Sequence, residues 1–204
     1  LAARGSRVIG VDSARPMVER ARAQYPELTF EVCDALALPF EGEFDVVFSN
    51  AVFHWIADHD TLLENVKKAL KPGGQLICEF GGAGNIAVVE QAFNRACEEM
   101  GLAVRAPRFN FPTPEEFSAR LAHHGVTPVN VYDYDRPTPL KDGEQGLANW
   151  MRQFFAGQLE ALPEQTGQAL LARAEELARP ELWDGDHWTA DYRRLRAVAR
   201  KPAE

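Results

Sequence analysis

Four residues early in the chain have the types and positions to do chemistry: Asp12, Asp34, Asn50 and His54. Asp12 closes the apolar run VIGV in RVIGVDSARPM. A carboxylate at the end of a parallel strand suits a ribose, because two vicinal hydroxyls can donate to it. Taken alone, Asp12 fits a plain helix cap in a strand-to-helix turn equally well. Asp34, followed by Ala35 in EVCDALALPF, adds an acceptor where an adenine amino group could lie. Met17 could lay its thioether against a flat base or fill core space. His54, in NAVFHW, could act as a base, donate to a substrate, or pack against Trp55, whereas His59 reads as a surface residue.

These side chains need elements to hold them. Residues 8–11 predict a first strand, and Ser13 can cap a helix with Met17, Val18 and Ala21 at helical spacing and Pro26 as its stop. Residues 28–33 and 44–49 read as the next two strands. Asp58 or Asp60 can cap a helix with Leu62, Leu63, Val66 and Leu70 on one face, ended by KPGG, and residues 75–80 form a fourth strand. Strands that alternate with helices, each an almost unbroken apolar run, predict a parallel sheet covered on both faces. Ligands collect at the carboxyl ends of such strands, where Asp12, Asp34 and Asn50 stand.

Beyond Gly81 the pattern turns helical. Residues 85–100 predict a helix; Thr113, Pro114 and Glu116 form a capping box for another, closing near Gly125; residues 126–134 read as a strand. Helices near 144–156 and 164–179 follow, the second ended by Pro180, and residues 192–200 form a last strand. No repeat or linker divides the chain, so a single domain over 1–204 is expected, with 140–185 as a helical cap.

Phe53, Trp55, Trp150, Phe154 and Phe155 could wall an acceptor pocket or pack the core. A carboxylate acceptor would call for an arginine fork, for which Arg152, Arg194 and Arg196 are candidates; a solvated strand face accounts for the last two as well. GGAGNIA imitates a dinucleotide fingerprint, but no strand ending in an acid follows its helix. A loop near the substrate entrance is the better reading, and a nicotinamide-dependent oxidoreductase using this segment is a third reading, which fluorescence transfer from tryptophan to bound reduced nicotinamide would test.

Acidic residues outnumber basic ones by 30 to 22, a net charge of −8, so no broad positive field exists to hold nucleic acid. Cys33, Cys78 and Cys97 are odd in number and widely spaced, which suits core positions in a reducing compartment and not a disulfide framework or a metal cluster. No apolar run is long enough to span a bilayer, and LAARGSR does not form a signal peptide; a cytoplasmic protein with no membrane partner is expected. The oligomeric state is open.

Three blocks, VIGVDSARPMVERAR, EVCDALALPF and FDVVFSNAVFHWIADHDTLLENVKKALKPGGQLI, resemble in order and spacing the successive motifs of class I S-adenosylmethionine-dependent methyltransferases. Residues 5–82 carry the resemblance, WTADYRRLRAVAR resembles that family's last strand, and SNAVFHW with DHD is most similar to the trans-aconitate branch. The resemblance implies an α/β, Rossmann-like three-layer sandwich: a mostly parallel sheet, an antiparallel last strand and a helical insertion near the C-terminus. It also implies S-adenosyl-L-methionine as cofactor, with Asp12 on its ribose and Ser13 beside it, Met17 by the adenine, Asp34 and Ala35 on the adenine edge, and Asn50 by the methionine moiety. His54 is the catalytic candidate; Trp55, Trp150, Arg152 and Phe155 are the substrate candidates.

One departure stands out. The family's first strand and glycine-rich loop would lie immediately upstream of LAARG, and the chain begins at Leu1. A shortened form of a normal enzyme is the expectation, with the backbone edges of two strands left unpaired. The expected function is methyl transfer to a small-molecule acceptor, with a carboxylate as one candidate. The alternative is a non-catalytic, methyltransferase-like binding module.

Overall fold

The computed structural model describes all 204 residues. Strand β1 (Ile9–Asp12) pairs in parallel with β2 (Thr29–Val32), and helix α1 (Arg15–Gln24) connects them. Ser13 is not the cap of α1. Asp12 reaches past it, its Oδ1 accepting from the Ala14 amide at 2.8 Å, and Pro16 sits in the first turn, where a missing N–H costs nothing.

A second sheet has the order β3 (Phe44–Asn50), β4 (Leu70–Gly81), β8 (Arg193–Arg200), β5 (Thr127–Asp135). β3 and β4 run parallel, and β8 is antiparallel to both its neighbours, β4 and β5, as the resemblance implied. No ladder joins β1–β2 to this sheet, so β1 and β3 each keep an unpaired edge. The pairs are tied instead through helix α2 (His59–Ala69), whose Asn65 donates from Nδ2 to the Ala35 carbonyl at 3.4 Å. KPGG lies inside β4 and does not form a loop: Gly73, at φ 77°, opens a bulge between the Phe44 and Val46 pairings.

One face of the four-stranded sheet is closed by α2 and α4 (Pro114–His123) over Leu76, Cys78, Phe80, Leu195 and Ala197. Asp58 caps α2 by accepting from the Thr61 amide, and the Thr113–Glu116 capping box is present on α4. Each fully buried side chain such as Leu63 contributes roughly 1.5–3 kcal/mol. The opposite face is open: Phe48 is 58% exposed and Val46 46%, so the expectation of helices on both faces fails for this sheet.

A second core lies beyond the sheet, between α3 (Ala87–Glu99), α5 (Gly146–Phe154) and α7 (Glu164–Leu182), with the short α6 (Ala156–Glu160) between the last two. Pro180 does not stop α7, which continues to Leu182. Two short strands, β6 (Thr138–Pro139) and β7 (Thr189–Ala190), pair with each other, so the chain between them is entered and left side by side. No helix is long and apolar enough to cross a membrane.

Candidate active site

Asp12 and Asp34 stand at and just past the carboxyl ends of adjacent parallel strands, where Asp12 pairs with Val32. Each commits one oxygen to its own turn: Asp12 Oδ1 to the Ala14 amide, and Asp34 Oδ1 to the Leu36 amide at 2.9 Å. The other oxygen of each makes no protein hydrogen bond, so helix capping and ligand binding are compatible roles of one carboxylate. Met17 is 55% exposed and does not fill the core. Ser13 and Asn50 are exposed and make no side-chain hydrogen bond, and half-buried Ala35 opens the short turn Ala35–Ala37. Two free carboxylate oxygens, an accessible thioether and a free amide fit the adenosine and methionine parts of S-adenosylmethionine.

Just past β3, Ala51 takes a left-handed conformation, φ 59°, and its amide donates to the Glu79 carbonyl at 2.7 Å. That bend turns the chain into the short helix Phe53–Trp55. Phe53 points into the sheet core against Phe80, and His54 is buried with its Nδ1 accepting from the Gly81 amide at 3.2 Å. The proton of the neutral ring therefore sits on Nε2, which makes no protein hydrogen bond. Burial first, then the charge of Arg194, lower the His54 pKa to about 4. His54 is thus a neutral donor at physiological pH, and the base role considered for it is not supported by this geometry.

His59 is not a surface residue. It is fully buried among Phe53, Phe80 and Phe117, with Nε2 2.9 Å from the Phe53 carbonyl and Nδ1 unpartnered. It braces the segment that carries His54.

Of the aromatic candidates, Trp55, Phe154 and Trp150 come together. Trp55 stacks on Phe154 at 6.1 Å, and Phe154 lies 4.7 Å from Trp150. Phe155 is completely buried between Phe93 and Trp150, which leaves it no surface for a ligand. Arg152 is exposed and donates to Asn149 on its own helix. Arg196 is occupied by Glu79, whose carboxylate also accepts from Tyr134 at 2.9 Å and Arg136 at 3.1 Å. Burial pushes the Glu79 pKa up, but the Arg196 and Tyr134 hydrogen bonds outweigh it and hold the group below its ordinary value. A cleft of about 600 Å³ opens beside Asn50 over this cluster on the open sheet face.

Sequence reasoning missed Phe109, Asn110 and Tyr192. Phe109 packs edge-on against Trp55 at 4.9 Å. Asn110 staples its segment to the 53–57 turn, its amide donating to the His54 carbonyl and its side chain to the Ile56 and Ala57 carbonyls. Tyr192 accepts from Trp150 Nε1 at 2.6 Å. The alternation in RFNF was the available signal. GGAGNIA forms the connection from β4 to α3, and its first glycine supplies the amide that fixes His54.

Comparison with known proteins bears on this arrangement. The sequence pattern of the family described as "Methyltransferase domain" matches residues 1–78. A trans-aconitate 2-methyltransferase of Sinorhizobium fredii is 30% identical over 186 residues, covering 87% of this chain and 72% of that protein. The chain belongs to the class I S-adenosylmethionine-dependent methyltransferases. An uncharacterized methyltransferase of Schizosaccharomyces pombe is 27% identical, over 96% of this chain and 78% of that one. The matched regions span from 19% to 78% of the length of eight curated relatives. The crystal structure of the YcgJ protein of Bacillus subtilis shares the fold, with a TM-score of 0.64 at 18% identity over 95% of this chain and 82% of that one. In this methyltransferase Asp12 and Asp34 stand at the ends of the β1–β2 pair and Asn50 at the end of β3 in the four-stranded sheet.

Proposed function

We propose that this methyltransferase transfers a methyl group from S-adenosylmethionine to a small acceptor that bears a carboxylate. The observation that carries the cofactor half is the pair of free carboxylate oxygens of Asp12 and Asp34 at adjacent strand ends, with Met17 exposed one turn away. When bound, the cofactor supplies an electrophilic methyl group on a sulfonium sulfur. Asp12 holds the ribose diol, Asp34 accepts from the adenine amino group, and Asn50 hydrogen-bonds the amino-acid end.

The acceptor half rests on the chemistry of His54 and on the name of a relative. A carboxylate is already ionised at neutral pH, so methylating it requires no base. A histidine locked as a neutral donor can orient an acceptor oxygen but cannot readily deprotonate one, which favours acceptors without a proton to lose. The relative of Sinorhizobium fredii is named for a tricarboxylate. Alignment and exclusion of water then supply most of the acceleration in an in-line displacement, and the aromatic wall of Trp55, Phe109 and Phe154 provides the dry surface.

The test is calorimetric titration of S-adenosylhomocysteine into the chain, followed by transfer of labelled methyl from S-adenosylmethionine to a panel of small carboxylates, phenols and amines. Micromolar binding and base-labile methyl esters formed only on carboxylates are expected. Absence of binding, or methylation confined to phenols or amines, would overturn the reading.

A further inference from the structure

The chain has five lysines, Lys67, Lys68, Lys71, Lys141 and Lys201, and the fold gathers three of them around one cavity. Lys67 and Lys68, near the end of α2, and Lys201, just past β8, line a space of about 530 Å³ with Glu64 and with His123 and His124 at the end of α4. No apolar side chain lines it. The cavity is separate from the candidate active site, because Lys67 stands roughly 12 Å along the α2 axis from His59, which braces the His54 turn.

The three ammonium groups differ in what holds them. Lys201 is fixed, its Nζ donating to the Lys67 carbonyl at 2.8 Å and to the Leu70 carbonyl at 2.6 Å, which leaves its third N–H without a protein partner. Lys68 pairs with Glu41 at 2.7 Å, but both side chains are exposed and such a pair contributes little. Lys67 is half-buried and makes neither an ion pair nor a hydrogen bond through its ammonium. That ammonium rests against Gly125, whose backbone is left-handed at φ 67° and where a Cβ would stand 2.8 Å from Nζ. The negative ends of α2 and α4 account for Lys201 as a cap, yet Lys67 reaches no carbonyl.

The remaining groups leave this charge uncompensated. The one carboxylate of the lining, Glu64, faces His124 Nδ1 at 3.6 Å and pairs with no lysine, and His124 Nε2 is engaged by Asp60 at 3.0 Å. His123 is exposed and touches only the edge of His124, at 5.1 Å, so both its ring nitrogens are unspent. Three ammoniums against one carboxylate make a local positive site in a chain of net charge −8. A wall without apolar groups gives no hold to an organic body, so what it recognises is a charged head. A phosphate monoester presents about two negative charges and three acceptor oxygens to separately placed point donors. A carboxylate presents one charge and a flat pair of oxygens better suited to a guanidinium fork.

We propose that this cavity binds the phosphate group of a small soluble phosphate monoester, with Lys67, Lys201 and His123 donating to it. The same headgroup on an anionic membrane is disfavoured, because a surface of net negative charge would be repelled by the bilayer.

The experiment titrates glycerol 3-phosphate and, for comparison, acetate into the full chain by calorimetry, with and without saturating S-adenosylhomocysteine. Glycerol 3-phosphate binds at a single site, acetate binds at least roughly tenfold more weakly, and S-adenosylhomocysteine changes neither affinity. Lys67→Gln lowers the affinity for glycerol 3-phosphate by roughly tenfold or more. Glu64→Gln raises it by roughly threefold, a gain that misfolding cannot produce. Lys71→Gln, which removes a lysine outside the cavity, leaves it unchanged. Absence of saturable binding, or equal affinity in Lys67→Gln and the unaltered chain, overturns the proposal. Loss of binding on saturation with S-adenosylhomocysteine does so as well, since the phosphate would then occupy the cofactor site. Acetate as tight as glycerol 3-phosphate overturns the assignment to phosphate. Co-sedimentation with phosphatidylcholine vesicles containing phosphatidic acid, without binding of glycerol 3-phosphate, overturns the assignment to a soluble ligand.

Discussion

The Gly81 amide donates to His54 Nδ1 across 3.2 Å, joining the end of one strand to the turn that follows its neighbour. The contact fixes both the tautomer and the orientation of the imidazole. It also makes protonation expensive, since a charged ring would have to give up this bond while buried.

The first prediction concerns pH. Burial, then Arg194 and His59, pull the His54 pKa from its ordinary 6.5 to about 4. The folded state therefore favours the neutral ring. The stability this contributes is fully present above pH 6.5 and is lost as pH falls through that value toward 4. In urea unfolding at pH 7.5 and pH 4.5, the unaltered chain should lose more stability between the two than His54→Gln does. Equal losses would mean that His54 is not held neutral by the fold.

A second prediction separates the two roles of Asp12. Asp12→Asn keeps an oxygen for the Ala14 amide but weakens ribose binding, because hydrogen bonds to a charged group contribute about 1.5–3 kcal/mol. Asp12→Ala loses the turn as well, at a further cost to folding of about 0.5–2 kcal/mol. Calorimetry with S-adenosylhomocysteine should show both variants impaired by at least tenfold, while only Asp12→Ala melts earlier. A normal affinity in Asp12→Asn would leave Asp12 as a cap alone.

The contrast between these residues shows where sequence is informative. The strand-end positions of Asp12, Asp34 and Asn50 were legible because strand ends follow from local apolar runs. The capping boundary at Thr113 was legible for the same local reason, whereas the antiparallel sense of the last strand came from the family resemblance alone. His59 was misplaced because its environment is long-range: Phe80 and Phe117, from a strand and a helix far along the chain, surround it. Phe155 and Phe154 are neighbours in sequence, yet one is sealed against Phe93 and the other faces Trp55, a difference set by how α3 and α5 pack. Of the arginines that open the last strand, Arg193 and Arg196 are paired and Arg194 is not, a difference that depends on Glu79, Asp133 and Asp135, contributed by two other strands.

The last prediction runs opposite in sign to that for His54. Glu90, in the first turn of α3, is pushed up to about 7 by burial and by the neighbouring Asp191. Asp191 is raised for the same first reason; its Oδ2 accepts from the Val88 amide at 2.8 Å, while its buried Oδ1 has no partner. The folded state thus favours a protonated Glu90. Its contribution to stability is fully present below the ordinary value of 4.5 and is lost as pH rises through about 7, where the fold must bear two neighbouring carboxylates. Glu90→Gln keeps the shape and removes the second charge. It should melt higher than the unaltered chain at pH 8 and within a degree or two of it at pH 5, a crossover readable by differential scanning calorimetry. A gain of the same size at both values would mean that the substitution acts through packing and not through charge.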